Sequence, residues 1–147
     1  MESIHRSSLS MFFYIVISAV VGLSSSAPCA NEGTISSSDA FLLARAALAT
    51  SYNAKSPQLH PEEDKSLSDP HFYFFMGIWD NPSAVGSVTA GGFAIQRETG
   101  DVWDRVTCEE VRDKALTKLQ KRIRRKINLT ASAYASLRKK PPGCSSL

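Results

Sequence analysis

Eight consecutive residues, Phe72 to Trp79 (FYFFMGIW), limit the folds open to this chain more than any other segment. The run is too short and too aromatic for an ordinary surface helix. As a strand it sends Phe72, Phe74, Met76 and Ile78 to one face and Tyr73, Phe75 and Trp79 to the other, so both faces need cover. Asn81-Pro82-Ser83 with Gly86 then reverses the chain into a second strand, Ser87 to Arg97. Within it Gly91-Gly92 marks a bulge or a place where another backbone comes close. Glu98-Thr99-Gly100 makes the next tight turn, with Gly100 suited to the left-handed position, and Asp101 to Asp104 forms a third strand. The expected product is an antiparallel meander of three strands or slightly more.

Helices flank it. Ser36 with Asp39 approximates a capping box for a helix from Ser37 to Asn53, with Phe41, Leu48 and Tyr52 as its core-facing stripe. Residues 54–70 are polar and interrupted by Pro57, Pro61 and Pro70, which predicts a loop. Thr107 with Glu110 predicts a second cap and a basic helix from Cys108 to Lys126, whose Val111, Ala115, Leu116, Leu119, Ile123 and Ile127 would pack on the sheet. Asn128-Leu129-Thr130 breaks that helix and caps a short one from Ala131 to Arg138, before Pro141-Pro142-Gly143 ends regular structure. The fold class is α+β: an N-terminal helix, an antiparallel meander, a C-terminal basic helix and a short companion.

The chain has 147 residues. Near its start the apolar run Met11 to Leu23, preceded by Arg6 and followed by Ser24-Ser25-Ser26-Ala27, has the outline of a secretory signal peptide. As a helix it would reach only about 20 Å, against the roughly 30 Å core that a membrane span must cross. Residues 1–30 are therefore expected to be a signal peptide, and 31–147 one small domain in the periplasm or secreted. Pro28 spoils cleavage directly after Ala27, leaving the bonds after Ser26 and after Ala30 as candidates. Cutting after Ala30 removes Cys29 and leaves Cys108 and Cys144 as an even pair that an oxidising compartment would bridge.

The net charge of +3 conceals a division. Asn31 to Asp104 carries ten acidic against four basic residues, a balance of −6, whereas Arg105 to Leu147 carries twelve basic against three acidic, a balance of +9. Lys121, Arg122, Arg124 and Arg125, within the densest part of the positive half, are the candidate contacts for a partner. An acidic protein surface fits best; an envelope polymer or anionic lipid is the alternative, and export makes nucleic acid a poor candidate. A membrane-lying helix would need its apolar stripe free, whereas the sheet needs that stripe for cover.

Catalytic chemistry finds little support. Cys108 with His60 or His71 could be imagined as a cysteine hydrolase, but a bridge to Cys144 explains Cys108 more simply. Glu98, Asp101 and Asp104 could be paired acids, yet the Thr99-Gly100 turn between them reads as a structural hairpin, with Asp101 and Asp104 at a sheet edge. His60-Pro61-Glu62-Glu63-Asp64 matches no established metal-ligand spacing, and no cofactor motif is present, so neither metal nor cofactor is expected. Asn128-Leu129-Thr130 is a glycosylation acceptor only if the chain passes through a eukaryotic secretory pathway.

Three segments carry a family likeness: Ser38-Asp39-Ala40 opening an alanine-rich helix, Phe72-Tyr73-Phe74-Phe75 on a strand, and Gly92 to Trp103 (GFAIQRETGDVW) on a hairpin. Together, over residues 36–104, they resemble PepSY-like and NTF2-fold immunity-type domains of bacteria. The resemblance implies a helix against an antiparallel sheet and an exported inhibitor or protective binding protein, such as one neutralising a cell-wall-degrading effector. It transfers no functional residue.

Overall fold

The computed structural model describes residues 33–52, 57–80, 82–83, 85–86 and 88–144. The apolar run, its candidate cleavage points and Cys29 lie outside the described residues.

Helix α1 (Ser37–Ser51) starts where the sequence places it: the Ser36 hydroxyl accepts from the Asp39 N–H at 3.1 Å. The Asp39 carboxylate receives the Lys126 ammonium and the Ser36 hydroxyl, each at 2.8 Å, and the Lys126 bond foremost holds it below the usual carboxylate range. The buried face differs from expectation. Ala40, Leu43, Ala44, Ala47 and Leu48 turn inward, while Phe41 and Tyr52 stay 40% and 41% exposed. Alanines let the helix settle close to the sheet, and glycines opposite make room for the few large side chains. A methyl on Gly77 would collide with Leu48 Cδ1, and one on Gly91 with the Tyr52 hydroxyl. Leu48 is locked in the core, whereas Tyr52 can swing into solvent. Gly77→Ala is therefore expected to cost about 1–3 kcal/mol by overpacking, and Gly91→Ala clearly less. Equal losses in urea unfolding would contradict this close approach.

The sheet has four strands, β1 (Leu59–Glu63), β2 (Phe72–Trp79), β3 (Val88–Gln96) and β4 (Val102–Asp104), antiparallel in that spatial order. β1 falls inside the segment expected to be a loop. Its bonds to β2 pass through alternate residues, as at Asp64 N–H to Phe74 O (2.9 Å) and Asp80 N–H to Gln58 O (3.0 Å). Pro61 thus turns its missing N–H outward, the one arrangement in which proline fits an edge strand. Between β2 and β3 the register jumps from Gly77↔Gly91 to Ile78↔Thr89, which leaves Ala90 unopposed beside the expected bulge position.

The expected helix start at Thr107 and Glu110 is not formed. Asp104 Oδ1 accepts from the N–H groups of Val106 and Thr107 at 2.7 and 3.0 Å, Cys108 takes a φ of 58°, and Glu110 bridges to Trp103. The segment then covers the β4 edge through Asp104 N–H to Glu109 O and Val111 N–H to Val102 O, both 2.9 Å. Helix α2 (Lys114–Lys126) begins after Asp113, whose carboxylate accepts from the N–H groups of Ala115 and Leu116 at 2.7 and 3.2 Å. Those amides, Leu116 first, hold the Asp113 carboxyl below its ordinary value. Helix α3 (Ala131–Leu137) is capped by Thr130, as the sequence predicts.

The two long helices share one face of the sheet, where Leu43, Leu48, Phe75, Phe93, Ile95, Val102, Leu116 and Ile123 form the main core. Phe72, Phe74, Ala94 and Trp103 cluster on the other face. The last segment straps across it: Gln96, on that face opposite Phe72, donates to Leu137 O at 2.5 Å and accepts from the Lys139 N–H at 3.0 Å. Pro141 and Cys144 are buried farther along. Cys108 and Cys144 stand at disulfide-compatible geometry, Cα to Cα 5.4 Å. Phe72, Phe74 and Phe75 of the aromatic strand thus obtain cover on both faces, while Trp79 at its end stays exposed.

Candidate partner-binding surface

Helix α2 divides its residues sharply. Leu116, Gln120 and Ile123 are buried, whereas Lys114, Lys118, Lys121, Arg122 and Arg125 recur every three or four positions on one exposed face. Among the described residues none of these five forms an ion pair. Lys126 is already bound to Asp39.

Arg124 has another role. It donates through Nη2 to Asp101 Oδ1 at 2.5 Å and through Nε to Thr99 O at 2.7 Å, and its side chain is 18% exposed. Of the four candidate contacts, Lys121, Arg122 and Arg125 share the surface while Arg124 serves the interior.

Asp101 is the centre of that interior arrangement. Expected at a sheet edge, it is fully buried at the head of β4, where it accepts from Arg124, from Arg138 Nε at 3.1 Å and from the Tyr134 hydroxyl at 3.0 Å. Burial, reinforced by the Asp101 charge, pushes the Tyr134 hydroxyl above its ordinary value. Burial pulls the Arg138 guanidinium down, but the charges of Asp101 and Glu110 outweigh it and hold Arg138 above its usual value. Arg124 also lies over the Tyr134 ring, 4.1 Å from its centroid. Gln120 Nε2 adds a bond to Gly100 O at 3.0 Å. The β3–β4 turn therefore fastens α2, α3 and the strap to one point, behind the basic stripe.

A shallow cleft of about 260 Å³ opens between α2 and α3, lined by Lys121, Arg124, Arg125, Leu129, Thr130, Ala131 and Tyr134. Its chemistry suits an anionic group: two cations without an ion pair among the described residues, an aromatic ring and a threonine.

The other candidate groups are dispersed. His60 lies 3.5 Å from Asp80, and His71 is bound to Glu98, with Lys139 Nζ 3.1 Å from its Nε2. Among the described residues no hydrogen bond joins either histidine to Cys108, and no three His, Cys, Asp or Glu side chains gather as metal ligands. No described helix is long and apolar enough to cross a membrane.

No family model and no curated protein matches the chain, so membership of the PepSY-like or NTF2-fold families is not supported. A solved structure does. It is a chain of a type VI secretion system effector-immunity complex from Pseudomonas protegens. The likeness has a TM-score of 0.55 at 22% identity and covers 72% of this chain and 88% of that one. At that identity the two share a fold. The extent of its cover means that the likeness concerns most of the α+β unit.

Proposed function

We propose that this chain is an exported immunity-type protein that binds and neutralises a protein effector, using the basic face of α2 against an acidic surface. The observation that carries the reading is the row of five cations, Lys114, Lys118, Lys121, Arg122 and Arg125, that form no ion pair among the described residues, on a helix held from behind by Arg124 and Lys126. A row of solvated cations needs no such anchoring, whereas an interface gains from it because little ordering remains at binding. The finer reading is a cell-wall-degrading effector met in the periplasm; the N-terminal apolar run and the Cys108–Cys144 pair support that compartment. Membrane binding through α2 is disfavoured by the burial of Leu116 and Ile123.

Cross-linking the exported chain in cells would identify the partner, and calorimetry would then measure the affinity. Reversing Lys121, Arg122 and Arg125 to glutamate is expected to weaken binding at least about 30-fold at low salt, given roughly 0.5–1 kcal/mol for each lost rim charge and further repulsion, and to flatten the salt dependence. Thermal unfolding of this variant should stay near the parent. Unchanged affinity at low salt would remove α2 from the interface.

A further inference from the structure

The cleft between α2 and α3 separates two of the exposed cations from the others. Lys121 and Arg125, four positions apart on one side of α2, line it together with Arg124, whereas Lys114, Lys118 and Arg122 do not. No acidic residue lines it. Arg124 is set in place by its bonds through Nε to Thr99 O and through Nη2 to Asp101, and its guanidinium lies 4.1 Å from the Tyr134 ring centroid. Its Nη1 makes no hydrogen bond among the described residues. The rest of the lining is mainly apolar, with half-buried Leu129 and exposed Ala131 beside the half-buried Tyr134 ring.

Solvation of a charged helix face accounts for Lys114, Lys118 and Arg122. It does not account for three cations gathered round an apolar recess. Like charges at i and i+4 repel, so Lys121 and Arg125 gain from an anion placed between them, and Arg124 supplies a third charge already in position. A free inorganic anion would leave Leu129 and Ala131 uncovered. An acidic side chain covers them with its own stem and with its neighbour in the partner's sequence. At about 260 Å³ the cleft falls below the roughly 300–1,000 Å³ of small-molecule sites, so it admits one or two side chains.

We infer that this cleft is the anchor point of the partner interface, receiving one aspartate or glutamate of the protein partner together with an adjacent apolar side chain. The inference rests on the protein-binding reading above and divides its cations by task. Lys121, Arg124 and Arg125 seat the acidic side chain, while Lys114, Lys118 and Arg122 draw the partner in from a distance.

The probes are the acetylated, amidated peptide Leu-Glu-Leu, its uncharged twin Leu-Gln-Leu, and inorganic phosphate, each titrated into the oxidised chain at constant ionic strength and followed by NMR. Leu-Glu-Leu is expected to shift signals of residues 129–131 and Tyr134, and the twin and phosphate to give several-fold smaller shifts at equal concentration. In Lys121→Gln/Arg125→Gln, which alters only exposed side chains, the peptide shifts should fall at least tenfold. In Lys114→Gln/Lys118→Gln, which removes the same charge from the same helix outside the cleft, they should fall at most twofold. No shifts at millimolar peptide, equal shifts with the twin or with phosphate, or equal losses in the two variants would each overturn the assignment. Selective docking alongside a Lys121, Arg122 and Arg125 reversal that leaves partner affinity intact would reject the partner contact and retain the acid-binding cleft. A reversal that weakens the partner while the peptide never docks would reject the cleft and retain α2.

Discussion

Asp101→Ala is expected to cost about 3–5 kcal/mol, because removing one partner of a buried ion pair leaves the other charge uncompensated. A domain of this size commonly has only about 5–15 kcal/mol in all, so the variant should sit close to unfolding at room temperature. Arg124, at 18% side-chain exposure, would have to remain charged in a site shaped for a carboxylate. The Tyr134 hydroxyl and Arg138 Nε would lose their acceptor at the same time. Asp101→Asn keeps the shape and removes the charge, so it separates packing from electrostatics; it should recover only a minor part of the loss. Urea unfolding reads both variants, and a loss below about 1 kcal/mol would show that water replaces Asp101 readily. Arg124→Met, combined with Asp101→Ala in a double-mutant cycle, should give strong coupling, since the two act as one unit.

The second large effect concerns the Cys108–Cys144 pair. Its partners stand 36 residues apart, and closing a loop of that length stabilises by about 4 kcal/mol in the chain-entropy estimate. Reduction, or Cys144→Ser, should remove most of that and free the end of the strap. Its two tryptophans give the chain its own reporter, because Trp79 is 41% exposed and Trp103 only 8%. In a Trp79→Phe background the emission of Trp103 should move to longer wavelength on reduction as water reaches the second sheet face. The Trp103 indole N–H has no partner among the described groups, so its burial draws on packing alone and is easily lost. Unaltered emission and an unaltered unfolding midpoint after reduction would show that Arg138 and Gln96 hold the strap by themselves.

Local signals in the sequence proved legible where one residue sets the geometry. Ser36 and Thr130 cap the helices expected of them, and Gly100, with φ of 67°, makes the turn its position implies. Pro61 misled because a proline counts against a strand unless one knows that the strand lies at an edge, which is a tertiary fact. Thr107 and Glu110 have capping-box spacing, but the pairing of Glu109 to Val111 with β4 outcompetes one turn of helix. Asp101 was hidden for a related reason. Its three partners come from residues 23 to 37 positions later, so no local pattern reports them. One hint was available: it is a carboxylate set between Gly100 and the apolar Val102-Trp103, followed by a long stretch of uncommonly high positive charge. For the candidate surface, the charge run was visible as a whole, but which cations would be used internally was not.

The strand order has a consequence for how the molecule assembles. Each strand pairs with the one made just before it, so the meander can form by successive short-range steps, a topology that favours rapid folding. The strap is different: residues 138–144 must wait for Gln96, Asp101 and Cys108 to be in place, and they are the last described part of the chain to be synthesised. The strap's bond to Gln96 sets it on the sheet face that carries Phe72, Phe74 and Trp103. A variant lacking residues 138–144 should collapse around its helical face yet keep an adhesive aromatic surface, so this short strap separates a soluble fold from an aggregating one.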